Sequence, residues 1–178
     1  MESQRHQGNN YIIMIYLSLD SINKQDVYYV MLSPRGGYIF ETGNGIHYTI
    51  SFEEENSFGG CDTYQFVIEK RERVRSAHDP KVEQTILAII NQFFLENLDV
   101  LLYMCDDSDG REANRNRLFL TWFNKNADPD RFTIRAANAT IEGKWFYAAI
   151  IVENRNPLLE SIIADFEMTA QVLTEGKP

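Results

Sequence analysis

A chain of 178 residues with 44% apolar and 12% aromatic side chains can bury a core of its own, which excludes wholesale disorder. Its formal net charge of −9 excludes general binding to nucleic acid or an anionic membrane, because both need a basic face. Two cysteines, Cys61 and Cys105, and three scattered histidines offer no zinc spacing and no disulfide scaffold, so no metal is expected and a reducing cytoplasm is the expected setting.

Met1 to Asn10 are polar. The apolar run Tyr11 to Leu19 is too short to span a bilayer, which takes about 20 residues, and it lacks the flanks of a signal peptide. This run and Asp26 to Leu32 are rich in β-branched and aromatic residues and read as two strands. Residues 1–36 are thus expected to be an N-terminal extension, and residues 37–178 a single α+β domain.

Tyr38 to Thr42 and Ile46 to Glu53 flank Gly43-Asn44-Gly45, a hairpin turn, since Asn and Gly tolerate positive φ. Alternation puts Ile46, Tyr48, Ile50 and Phe52 on a dry face and His47, Thr49, Ser51 and Glu53 on a wet one. A third strand, Thr63 to Glu69, follows a Gly-Gly loop. Lys70 to His78 is a charged connection. Asp79-Pro80 then opens a helix with Val82, Ile86, Ile89, Ile90, Phe93 and Phe94 as its apolar stripe. Asp99 to Cys105 is an unbroken apolar run, as in a strand buried on both faces.

The stretch CDDSDGREANRNR, from Cys105 to Arg117, leads into a second helix with Ala113, Leu118, Phe119, Trp122 and Phe123 inward. Arg131 to Ala139 and Trp145 to Glu153 form a hairpin around Glu142-Gly143. Asn156-Pro157 starts a third helix with Leu159, Ile162, Ile163, Phe166, Ala170 and Leu173 inward, and Gly176 is its stop. From Tyr38 the order is β-β-β-α-β-α-β-β-α. Its strand–helix–strand unit implies a right-handed parallel crossover, hence a mixed, mainly antiparallel twisted sheet with helices on its faces.

That order resembles the core of the GNAT acyltransferase superfamily, over roughly Tyr38 to Glu153, and Arg117-Leu118-Phe119 falls where that family often carries an Arg-Leu-Tyr-like segment. The resemblance implies an acyl-coenzyme A cofactor with its pyrophosphate held before the first core helix, at Arg73, Arg75 and Ser76. The family's Gly-rich loop is missing there, Asp79 puts an anion at the helix start, and Phe119 has no proton to give a leaving thiolate. YMCDDSDGREANRNRLFLTWF, together with GNGIHYTISF, is also similar to a family of uncharacterised bacterial proteins that share a Cys-Asp-x-Ser-Asp-Gly-Arg segment between a strand and a helix. That resemblance implies a fold and no activity.

The opening acids fail as a calcium loop, since the position six beyond Gly110 is Asn116 rather than glutamate. Asp109 instead suits a helix cap with Glu112 as its reciprocal partner, Ser108 is the competing cap, and Asp106 and Asp107 end the strand. The arginines remain. They are either a solvated helix face or a site for an anion, at the carboxyl end of a parallel strand where open α/β sheets take ligands. Cys105 reads as a passive core thiol and His47 as a lone surface histidine.

Two functions follow as expectations. The first is a non-catalytic binding or interaction module using the 106–117 loop-helix region, with Asp107, Asp109, Arg111, Arg115 and Arg117 as ligand-binding residues. Its partner would be a small anionic ligand or an acidic protein segment, without nucleic acid, membrane or cofactor. The second is an acyl-coenzyme A-dependent N-acyltransferase with an atypical loop at Arg73, Arg75 and Ser76, for which acetyl-coenzyme A is the cofactor.

Overall fold

The Gly43-Asn44-Gly45 hairpin forms as its residues dictate: Thr42 N–H donates to Ile46 O at 2.8 Å, and Gly45 takes a φ of +73°, left-handed backbone that suits glycine. The computed structural model describes residues 15–106 and 112–175, with side chains for all of these except 106, 112–118 and 141. In chain order the elements are α1 (Leu19–Asn23), β1 (Val30–Leu32), β2 (Tyr38–Glu41), β3 (His47–Phe58), β4 (Cys61–Lys70), α2 (Pro80–Glu96), β5 (Val100–Asp106), α3 (Glu112–Asn126), β6 (Phe132–Ile141), β7 (Lys144–Glu153) and α4 (Leu159–Glu175). The class is α+β, and from Tyr38 onward the order is the expected one.

The strands make one seven-stranded sheet ordered β1-β2-β3-β4-β5-β7-β6. All neighbours pair antiparallel except β4 and β5, whose parallel ladder runs only from Thr63–Val100 to Gln65–Leu102. Past it, β4 runs on to Lys70 and β5 to Asp106 without pairing to each other.

Periodicity explains how the layers close. The α2 stripe from Val82 to Phe94 is buried as expected, and its Asp79 cap accepts the Lys81 N–H with Pro80 at the first position. Phe93 stacks on Phe52 with ring centres 5.0 Å apart, Phe94 meets Phe132 at 5.0 Å, and Phe119 of α3 meets Tyr103 at 4.4 Å and Phe66 at 5.6 Å. Burying each such ring contributes about 1.5–3 kcal/mol, so this face, with α1, α2 and α3, holds most of the core. The other face carries α4, whose Ile162 and Phe166 cover Val100, Leu102, Ile150 and Val152.

The N-terminal segment departs from the two-strand reading. Leu19 opens a helix rather than ending a strand, because Ser18 Oγ accepts the Ser21 N–H and a local cap outweighs β-propensity. Only Val30–Leu32 of the second run pairs, and Tyr11–Met14 lie outside the described residues. Leu17, Ile22 and Val30 are buried in the same core as Phe93.

Two further differences are tertiary. The polar residues Glu53 to Ser57 belong to β3, because the β4 partner holds them in the ladder up to a bulge between Glu55 and Phe58. The hairpin tip then lies against the start of α4. A Cβ on Gly59 would stand 2.5 Å from the Ser161 carbonyl carbon, and the Gly59 N–H donates to Asp165 Oδ2 at 2.7 Å. Leu173, expected inward, is 42% exposed, with Met168 and Val172 beside it, because this half of α4 has reached the β6 edge. Gly176 lies outside the described residues.

Candidate functional site

Because β4 and β5 run parallel, the connections leaving their carboxyl ends start from the same edge of the sheet. The first is the charged segment from Arg71 to Asp79, and the second leads from Asp106 to the start of α3. The two basic clusters of the sequence are therefore neighbours in topology, although far apart in the chain.

The first connection is pinned at several points. Lys70 Nζ donates to Val74 O at 2.7 Å and to Ser76 Oγ at 2.9 Å, and Arg71 N–H donates to His47 O at 3.0 Å. Glu72 accepts the His47 backbone N–H at 2.7 Å and lies 2.7 Å from the imidazole Nδ1; Glu41 lies 3.6 Å from Nε2. The His47 backbone N–H, and then its ring, hold the Glu72 carboxyl below its ordinary range. His47 is thus part of a carboxylate–imidazole–carboxylate chain, not the lone histidine read from the sequence. No sequence signal reveals this, since Glu72 lies 25 residues away.

At the α2 start, Asp79 is doubly engaged: its Oδ1 accepts the Lys81 N–H at 2.9 Å and its Oδ2 accepts the Tyr28 hydroxyl at 2.7 Å. The hydrogen bond to Asp79, and then burial, push the Tyr28 phenol up. Lys81 Nζ lies 5.5 Å from the Tyr28 ring centre and 3.1 Å from Asp26 Oδ1. The His78 ring is 6.2 Å from that of Trp122, which ties the end of the connection to α3.

Lys70 is held, but Arg71, Arg73 and Arg75 are exposed and, among the described residues, have no ion-pair partner. Ser76 is exposed beside them and receives the Lys70 ammonium. Of the other predicted ligand-binding residues, Asp107, Asp109 and Arg111 lie outside the described residues. Arg115 and Arg117 are carried on the helical backbone of α3, with side chains outside them. Cys105 is half-buried and unbridged.

Other features offer less. A cleft of about 400 Å³ between α2, α3 and the Gln25 to Val27 turn is rimmed by Gln25, Gln84, Asn91 and Asn126, amides rather than cations. Among the described residues no group of three or more His, Cys, Asp or Glu side chains could hold a metal ion, and no helix is long and apolar enough to cross a membrane.

Residues 78–168 match a family of unknown function, DUF6169. The match runs from the last residue before the Asp79 cap to the middle of α4, so Arg73 and Arg75 precede it. No curated protein and no solved structure matches the chain.

Proposed function

This chain belongs to DUF6169, a family of unknown function, and we propose that it is a non-catalytic binding or interaction module acting through the carboxyl end of β4 and β5. The single observation that carries this reading is that Arg71, Arg73 and Arg75 stand exposed there without an ion-pair partner among the described residues, in a chain of net charge −9. Arginines in such a chain find carboxylates easily, so arginines with no ion-pair partner among the described residues, on a pinned connection, suit an outside anion. Arg73 and Arg75 would act with Asp107, Asp109, Arg111, Arg115 and Arg117 of the Cys105 to Arg117 segment, and the helix start of α3 favours negative charge. A small anionic ligand or an acidic protein segment is the partner class, and a bacterial cytoplasm the setting.

Thermal unfolding with two probes, inorganic pyrophosphate and a polyglutamate peptide, tests this. A probe at 100 times its dissociation constant stabilises by about 2.7 kcal/mol. The shift should shrink with added salt and vanish in an Arg73→Ala, Arg75→Ala double variant. No response to either probe at millimolar concentration would sink the reading.

An acyl-coenzyme A-dependent N-acyltransferase is the second reading. It is favoured by the GNAT-like order of elements and by the early end of the β4–β5 ladder, past which the two strands no longer pair with each other. It is opposed by Asp79, which already holds the first-turn N–H that a pyrophosphate would use, and by Phe119, whose ring lies between Phe66 and Tyr103. Stabilisation by acetyl-coenzyme A well beyond that by pyrophosphate would make this the better reading.

A further inference from the structure

The sheet has two edges, and they are finished differently. At β1 the outward backbone groups of Val30 are both taken by one side chain: Val30 N–H donates to Asn23 Oδ1 at 2.8 Å, and Asn23 Nδ2 donates to Val30 O at 2.9 Å. A carboxamide standing in for a strand blocks further pairing there.

The β6 edge is ten residues long, and its register shows which groups face outward. Asn154 N–H donates to Arg131 O, and these residues are opposite in the β6–β7 register, so odd-numbered residues of β6 bond to β7 and even-numbered ones point away. Three bonds agree with this: Phe132 N–H turns to Asp128 O at 3.0 Å, Ile134 O accepts from the Arg135 guanidinium at 3.0 Å, and Asn138 O accepts from Thr174 Oγ1 at 3.2 Å. Among the described residues, the N–H groups of Ile134, Ala136, Asn138 and Thr140 have no acceptor. Such a row is a template for another strand.

We propose that the occupant is a second copy of this chain, with two β6 strands joined antiparallel about a twofold axis at Ala137. This register is self-complementary. It sets Ala136 opposite Asn138 and Ile134 opposite Thr140 of the second copy, so outward N–H groups meet outward carbonyls. Ile134 O and Asn138 O, which already accept from Arg135 and Thr174, each take a second donor on the remaining lone pair. Ala137 meets its own mate in the close, non-hydrogen-bonded kind of pair, with Cα atoms about 4.5 Å apart, where a small side chain fits. Arg135 is the one charged residue from Phe132 to Ile141, and it lands opposite Ala139. The two arginines are then four residues apart, about 13 Å at the strand rise, so no like charges face each other.

A second observation points to the same edge. Met168 and Val172 of α4 are 62% and 61% exposed and Leu173 is 42% exposed. Thr174, next to Leu173, touches Asn138, one residue from the axis. The twofold therefore brings two apolar helix ends together on one face of the joined sheet, with the Arg135–Glu167 pair of each copy at its rim. A lone peptide strand would satisfy the β6 backbone but leave α4 bare, which is why a second copy fits better.

Sedimentation equilibrium of the full chain at concentrations up to about 100 μM tests this. The expected mass is twice the 20.7 kDa of one chain. Ala136→Pro removes an outward N–H without touching the β7 ladder, and Val172→Glu charges the exposed helix end without touching the sheet. Each should raise the dimer dissociation constant at least tenfold, with circular dichroism of the Val172→Glu variant unchanged. A wild-type chain that stays monomeric, or a dimer that survives Val172→Glu and Ala136→Pro in folded form, overturns the proposal.

Discussion

The two ends of the β4–β5 pair differ in how their charges are handled. At the amino end, polar groups are absorbed into the structure. Glu153, its side chain 5% exposed, receives Arg131 and Arg155 on one oxygen at 3.1 and 3.0 Å. Asn156 donates to Leu98 O at 2.6 Å, and its Oδ1 accepts the Leu158 N–H. At the carboxyl end only the scaffold is absorbed, through Lys70, Glu72 and Asp79, while Arg71, Arg73 and Arg75 are displayed. At one end charges are paired inside the fold, and at the other three arginines are exposed without an ion-pair partner among the described residues, a contrast that the net charge of −9 does not reveal.

The largest expected effect breaks the absorbed end. Glu153→Ala leaves two partly exposed arginines without their shared carboxylate and should cost about 2 kcal/mol, less than for a fully buried pair. For a chain this size that lowers the melting temperature by roughly 4–8 °C in calorimetry. Asp79→Ala, at the other end, removes the α2 cap and the Tyr28 acceptor, and should cost about 1 kcal/mol. It also removes an anion from the helix start, so pyrophosphate should bind more tightly to this variant.

A smaller effect has the opposite sign. Burial, with the like charge of Asp62 added, pushes the Asp99 carboxyl up. A folded-state value above the unfolded one means the ionised group destabilises the fold at neutral pH, and the penalty disappears as pH falls below the unfolded carboxylate range. Asp99→Asn should therefore stabilise by about 0.5 kcal/mol at pH 7, with solvent screening included, and by nothing near pH 3. Smallest is Arg73→Ala with Arg75→Ala, for which melting without ligand should be unchanged while the response to pyrophosphate is lost. A large loss of stability in that variant would erase the contrast between the two ends.

Much of the scaffold was legible locally. The Asp79-Pro80 start, the Gly43-Asn44-Gly45 turn and the Glu142-Gly143 turn are chemistry of adjacent residues; Glu142 and Gly143 take φ of +52° and +80°, as a tight hairpin requires. The candidate site was legible only as two basic clusters. Their contacts were not, because His47–Glu72 and Tyr28–Asp79 join residues 25 and 51 positions apart, and no local pattern encodes such a pairing. The Leu19–Asn23 helix was missed because a weak cap competed with a strong β-propensity run.

The α+β class, the order of elements from Tyr38, the inward faces of β3 and α2, and the places where positive charge gathers follow from the residues alone. All of these depend on periodicity, capping and turn geometry within a few residues. Long-range packing sets the rest: β7 enters between β5 and β6, Asn23 takes both outward groups of Val30 on β1 while several outward N–H groups of β6 have no acceptor among the described residues, and His47 and Tyr28 hold the Arg71 to Asp79 connection. Those outcomes depend on which distant surfaces bury best against one another, a competition that no single stretch of chain can settle.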